Sequence, residues 1–269
     1  MVDTTPWRAL LRTGYHANYM IVVMGAMYHG PPPSLTAGAG MVARLAALYA
    51  SFNVLLYGGI YTVNALVDLE EDRQLKPWRP LATGAVSVPT ARALAVALLG
   101  AGLASGAALG PNPALLRLYG GFLATNALYS FVVRPLGGAL LAAHTVSVTA
   151  ALRLALGAVG AAAAGGWDGG GGGGTPPPLS ALVAAWAAMT SVHISRKKIE
   201  RGERPVVTEH AVTSAAMLYA FARAWRDDGG FSLWYALFVL YQHVGFGLLP
   251  ALVDDSFEKL KGFYKTKTQ

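Results

Sequence analysis

Apolar stretches of about 20 residues follow one another along almost the whole of this 269-residue chain. At ~1.5 Å per residue in a helix, each can cross the roughly 30 Å hydrocarbon core of a bilayer. They lie near 16–31, 41–67, 88–110, 114–133, 136–164, 178–195, 208–225 and 231–253. The chain is 54% hydrophobic and 13% charged, and its charged fraction is about half that of a typical soluble domain. The expected fold is an all-α polytopic membrane protein, a bundle of eight or nine transmembrane helices forming one domain over 1–269. No long soluble block interrupts it.

The basic residues give the expected orientation. With eight alternating spans, one side collects Arg8 and Arg12, then Arg73, Lys76, Arg79 and Arg92, then Arg134. The same side holds Arg196, Lys197, Lys198, Arg201 and Arg204, and Lys259, Lys261, Lys265 and Lys267 in a basic C-terminal tail over 254–269. The other side holds only Arg44, Arg117, Arg223 and Arg226, and Arg153 is left inside a span. Positive loops stay on the side from which the chain is inserted, so both termini are expected on the cytoplasmic, matrix or stromal side. The +7 net charge is thus a matter of topology. No nucleic-acid partner is expected, because the basic loops carry no aromatic platform. The absence of cysteine excludes disulfides, thiolate metal sites and cysteine nucleophiles. Charges and aromatics in the first fifteen residues argue against a cleavable signal peptide.

Pro31-Pro32-Pro33 separates the first two spans, and a Gly/Pro-rich loop over 165–178 separates the fifth and sixth. No Lys-Ser/Thr follows its glycines, so it is linker rather than phosphate loop. The spans are rich in Ala and Gly, as over Gly100–Gly110, which lets helices approach closely in lipid.

Where the second span meets the charged side, Asn64, Asp68 and Asp72 recur at i, i+4 and i+8 and so share one helix face. Three oxygen donors in a row suit a hard divalent cation such as Mg²⁺, which commonly bridges carboxylates to substrate phosphates. Lys76 and Arg79 follow within two turns and could take the remaining anionic oxygens. A solvated helix end is the plain alternative for such acids. Glu70 and Glu71 are expected elsewhere on the helix, solvated or paired with Arg73.

Asn64-x₃-Asp68-x₃-Asp72, then Lys76-Pro-x-Arg79-Pro-Leu, a small residue, Thr83 and Gly84, resembles the first Asp-rich motif of the UbiA superfamily of intramembrane prenyltransferases. Tyr129-Ser-Phe-Val-Val-Arg134 is similar to the Tyr…Lys/Arg sequence ending that family's fourth helix, and Pro205-Val-Val to the segment after its second acidic motif. The resemblance implies a UbiA-like bundle acting on an isoprenoid diphosphate, with transfer to an acceptor or intramolecular cyclisation. It makes Asn64, Asp68 and Asp72 the catalytic Mg²⁺ ligands and Lys76, Arg79 and Arg134 contacts to the diphosphate. The chain departs from the family at the second motif. His193-Ile-Ser-Arg196-Lys197-Lys198-Ile-Glu200-Arg201-Gly-Glu203-Arg204 contains no aspartate. Glu200 and Glu203 are candidate replacement metal ligands there, and Arg196, Lys197, Lys198 and Arg201 candidate diphosphate contacts. Anchoring to anionic lipid is the alternative for these cations, at about 1 kcal/mol per charge.

Inside the spans, His144 and Arg153 are nine residues apart, about 900° of helix, and should face opposite ways. Trp186, Tyr61, Tyr129 and Tyr241 are candidate π faces for a carbocation. Asn53, Asn126 and Tyr129 read first as groups bonding across helices, and His243 and Tyr241 as satisfied packing residues rather than acid–base groups. Three functional readings stay open: a Mg²⁺-dependent prenyltransferase, a catalytically degenerate relative serving as a structural subunit of a larger membrane complex, or a lipid- or quinone-binding carrier on the same scaffold.

Overall fold

A computed structural model describes residues 6–11, 19–28, 35–109, 112–162, 177–228, 230–254, 256–259 and 261–262. Arg12, Lys265, Lys267, the triple proline at 31–33 and all of the Gly/Pro-rich loop except Pro177 and Pro178 lie outside the described residues.

The described elements are helical. A short α1 (Pro6–Leu10) precedes α2 (Met20–Ala26). A long rod then runs from α3 (Leu35–Leu48) through wide turns at Tyr49–Leu56 into α4 (Tyr57–Val67), with α5 (Leu69–Leu75) continuing past Asp68. Next come α6 (Val88–Ala108), α7 (Pro113–Leu128) prolonged by wide turns at Tyr129–Val133, α8 (Ala139–Ala162), α9 (Leu179–Glu200) and α10 (Ala211–Asp227). The last rod joins α11 (Leu233–Leu240), wide turns at Tyr241–Leu248, and α12 (Leu249–Leu252). Each of the eight expected spans overlaps one of these rods. Among the described residues, four segments are both long and apolar enough to cross a bilayer: Gly38–Val67, Val88–Ala108, Leu140–Gly160 and Leu233–Leu252.

Local sequence sets several boundaries. Ser87 accepts a hydrogen bond from the Thr90 N–H, with Pro89 in the first turn of α6, and Asn112 caps α7 through the Ala114 N–H ahead of Pro113. Pro77 and Pro80, which cannot donate a backbone hydrogen bond, follow the end of α5 at Leu75.

Packing relies on small residues. A Cβ added to Gly157 would stand 1.9 Å from the Val22 carbonyl oxygen, and one added to Gly25 would stand 2.0 Å from that of Leu154. The α2–α8 crossing therefore brings backbone against backbone, as the Ala/Gly-rich composition suggested. Gly102 does the same for α6, where a Cβ would meet the Leu56 backbone at 2.7 Å. We expect Gly157→Ala to force the two helices apart and to cost about 1–3 kcal/mol, read as a lower Tm of the purified protein. On one side of the bundle, Phe52 packs edge-on against Tyr119 and Phe122, and Tyr57 edge-on against Phe122. On the other, the alanines of α9 (Ala181, Ala184, Ala185, Ala187, Ala188) form a thin face against Leu154, Met217 and Tyr235.

Contacts draw four connecting regions to one end of the bundle. Arg134, after α7, reaches Asp68 after α4; Lys197 lies over Tyr129; and Arg204 pairs with Asp254 beyond α12. These regions carry most of the basic residues that the alternating topology assigns to a single side.

Candidate functional site

Asn64, Asp68 and Asp72 stand on one face because the helix does not break between α4 and α5. Asp68 takes φ −81° and ψ −1°, yet its N–H still reaches the Asn64 carbonyl at 2.9 Å, and the Asp72 N–H reaches the Asp68 carbonyl at 2.7 Å. Both carboxylates are buried, Asp68 to 8% exposure and Asp72 to 3%. A solvated helix end is thereby excluded. A buried carboxylate needs compensating charge or donors, and two arginines provide them. Arg79 Nη1 lies 2.5 Å from Asp72 Oδ2 and 3.9 Å from Asp68 Oδ2. Arg134 pairs with Asp68 Oδ1 through one terminal nitrogen and with Glu71 through the other. Asn64 Oδ1 accepts a hydrogen bond of 2.6 Å from Ser130 Oγ.

Two members of this cluster escape sequence reasoning. Glu70 pairs with Arg73 at 2.6 Å as expected, but Glu71 turns to Arg134 instead. Ser130 reaches Asn64 because the backbone widens at Tyr129–Val133, where the Arg134 N–H bonds the Tyr129 carbonyl five residues back. Such a turn shifts the side chains that follow and often marks a functional position.

The basic loop divides. Lys197 Nζ stands 5.7 Å over the ring of Tyr129, next to Ser130, and so borders the acidic cluster. Arg196 and Lys76 are half-buried, whereas Arg201 is exposed. Lys198 turns away and joins Glu203 at 3.3 Å and Glu209 at 3.0 Å. The Val206 N–H also donates to Glu209 Oε2 at 3.1 Å. Glu203, half exposed, spends its carboxylate on Lys198, while the side chain of Glu200 lies outside the described residues. Glu203→Gln is accordingly expected to change any Mg²⁺-dependent turnover by less than about twofold, measured beside the parent protein.

Among the described residues, no three or more His, Asp or Glu side chains stand close enough to hold a metal. Asp68 and Asp72 nevertheless present oxygens to one cation, since a single Arg79 nitrogen lies within 4 Å of both. With the Asn64 amide oxygen they form an all-oxygen donor set, the type that suits Mg²⁺. A complete shell would need oxygens from a bound molecule.

Asn64 also opens onto a cavity of about 400 Å³. Ser130, Asn126 and Asn64 form its polar part, and Ile60, Val63, Leu99, Leu123 and Phe131 its apolar walls. Asn126, read from sequence as a cross-helix bond, lines this space while its Nδ2 donates to the Phe122 carbonyl at 2.8 Å. Tyr61 is buried with its hydroxyl 2.6 Å from that of Tyr57, and Tyr129 is half-buried. Trp186 instead stacks on His144, with centroids 5.2 Å apart. Tyr241 is 61% exposed, so the expectation that it supplies a π face to an interior pocket is corrected: it stands on the outer side of the last rod. Arg153 and His144 do face apart, Arg153 toward Tyr57 and Phe122, His144 toward Trp186.

The profile of the UbiA prenyltransferase family matches residues 18–253. Over 116 residues, 42% of this chain, the sequence is 32% identical to the digeranylgeranylglyceryl phosphate synthase of Ignicoccus hospitalis. That alignment spans 36% of the relative's length. A UbiA homolog from Archaeoglobus fulgidus bound to GPP and Mg²⁺ is similar over 98% of both chains, with a TM-score of 0.61 at 18% identity. The apo structure of a UbiA homolog from Aeropyrum pernix K1 gives a TM-score of 0.53 at 20% identity, over 96% of this chain and 93% of that one. At these identities the structural likeness speaks for the fold.

Proposed function

Because this chain belongs to the UbiA prenyltransferase family, we propose that it ionises an isoprenoid diphosphate within the bilayer and transfers the prenyl group to an acceptor. The observation that carries this reading is the pair of buried aspartates, Asp68 and Asp72, sharing Arg79 beside an apolar cavity that begins at Asn64. A polar end joined to an apolar hollow fits an amphiphile. The A. fulgidus relative bound to GPP and Mg²⁺ supports the same substrate class.

In this reading the diphosphate binds where Arg79 and Arg134 now pair with carboxylates, and the isoprenoid chain lies along Ile60, Val63, Leu99 and Leu123. Asn64, Asp68 and Asp72 would hold Mg²⁺, which supplies positive charge to the departing diphosphate. Arg79, Arg134, Lys76 and Lys197 add fixed cations around the same oxygens and lower the barrier to C–O cleavage. The bonding electrons leave with pyrophosphate. The allylic cation left behind is shielded from water by apolar walls and faced by the rings of Tyr61 and Tyr129. A nucleophilic atom of the acceptor then forms the new bond and loses its proton; attack by a double bond of the same chain would give a cyclase instead. The positive loops support a reading in which this chemistry, and both termini, lie on the cytoplasmic, matrix or stromal side.

A second reading rests on one observation. Lys198, Glu203 and Glu209 form a closed set of ion pairs where the family has a second acidic motif, as a subunit retained for assembly would allow. One experiment separates the two. The purified protein in lipid nanodiscs, given Mg²⁺ and isoprenoid diphosphates of five to twenty carbons, should release pyrophosphate from at least one of them, and chelation should stop it. No release from any, together with co-purification in a stable membrane assembly, would reject the enzyme reading.

A further inference from the structure

Arg153 lies in the middle of α8, 3% exposed, where a bilayer would surround it with hydrocarbon. Its Nη1 donates to Thr149 Oγ1 at 3.2 Å, and its guanidinium carbon stands 4.6 Å from the centroid of Tyr57 and 5.0 Å from that of Phe122. Nε and Nη2 have no hydrogen-bond partner, and no carboxylate pairs with the group among the described residues. The second span shows the same deficit. Asn53, one turn before Tyr57 on the same rod, is 1% exposed, with neither its amide oxygen nor its amide nitrogen bonded.

These omissions are costly. Two aromatic faces offset only part of the cost of stripping water from an unpaired ion. A charge kept at membrane depth is a functional candidate, and this one lacks only an anion. Its position is also informative. Tyr57 is seven residues before Asn64 on one helix, about 10 Å along the axis. The hydroxyl of Tyr61 bonds that of Tyr57 in between.

We propose that Arg153, with Asn53 one turn deeper, binds the oxyanion of the second substrate, a carboxylate or a phosphate carried by the acceptor. Resting on the prenyl-transfer reading, this deepens it, because the acceptor is then an anionic molecule. Its charged end is held at Arg153 and its nucleophilic end points back toward Asn64 and the diphosphate. The free Nε and Nη2 supply the two-pronged donation that guanidinium gives to such groups. The Asn53 amide adds a third donor.

The test uses full-length protein in nanodiscs and two matched probe pairs: benzoate against benzamide, and hexyl phosphate against hexanol. At about 100 times its Kd, one anion should raise the Tm by roughly 5 °C while its neutral partner does not. The pair that responds tells carboxylate from phosphate. Arg153→Met should abolish the shift and Arg153→Lys should keep part of it. A shift that persists in Arg153→Met, or wild-type protein that treats both anions like their neutral partners, overturns the proposal. Should Arg153→Met not fold, the wild-type comparison and Asn53→Leu, which should weaken the response, decide it. A parallel arm with Mg²⁺ and pyrophosphate reads the Asp68–Asp72 cluster separately. Stabilisation there, without any anion effect at Arg153, overturns this inference alone; an anion effect without it supports this pocket and strikes the diphosphate reading.

Discussion

Asp68→Asn should lower Mg²⁺-dependent pyrophosphate release by about 10²–10³-fold, equivalent to roughly 3–4 kcal/mol of lost transition-state stabilisation. The substitution keeps the volume and both polar ends of the side chain but removes the charge from the middle of the Asn64–Asp68–Asp72 series. Two consequences combine. A metal held by this series would lose an anionic oxygen, and Arg134, which now shares its charge between Asp68 and Glu71, is left with Glu71. The measurement is initial pyrophosphate release in nanodiscs across a range of Mg²⁺ concentrations. If only metal affinity suffers, excess Mg²⁺ restores the rate; if leaving-group stabilisation is lost as well, the maximum rate stays depressed, which is the result expected here. A variant as fast as the parent at every Mg²⁺ concentration would remove Asp68 from the chemistry. Asp72→Asn serves as a companion, with Arg79 losing its 2.5 Å partner.

Much of this site can be read from the chain, and the unread part has identifiable causes. The i, i+4, i+8 spacing of Asn64, Asp68 and Asp72 survives in the structure because the helix stays hydrogen-bonded through Asp68; a local pattern and a local element agree. The tight α2–α8 crossing follows the same logic, since glycine permits what Gly25 and Gly157 do. Glu71 and Ser130 are different. Their roles come from the widened turns at Tyr129–Val133, which leave no periodic signature and rotate Ser130 and Arg134 onto the second span. Tyr241, where the last rod passes into wide turns, faces outward at 61% exposure, and no local pattern marks that side of the rod as outer. The basic loop fails on another ground. Five cations within nine residues look equivalent in sequence, yet the fold sends Lys197 toward Tyr129, Lys198 to Glu209 and Arg204 to Asp254. Which cation meets which anion is a tertiary fact. Arg153 lies between these cases: its facing was readable from helical angle, but its lack of a counter-ion among the described residues was not.

Arg134→Gln is expected to destabilise the protein by about 2–3 kcal/mol, because it leaves Asp68 buried without its closest cation. For a chain of this size that is a fall in Tm of roughly 4–12 °C. Arg134 is 28% exposed and Asp68 only 9% at the side chain, so solvent screening weakens the effect without cancelling it. Pairing the change with Asp68→Asn makes the cause measurable. Two neutral amides can replace the ion pair with a hydrogen bond, so the double variant should recover most of the lost stability, with a coupling of about 1–3 kcal/mol between the sites. Activity should behave oppositely: each single variant is impaired, and the double variant gains nothing over the slower of the two. That divergence follows from the roles assigned to the pair. As a structural contact, Arg134–Asp68 is replaceable by any well-fitted partners; as a diphosphate site it needs the guanidinium and the carboxylate as charges. Recovery of rate along with stability would reduce the cluster to a fold-stabilising ion network and favour the assembly-subunit reading.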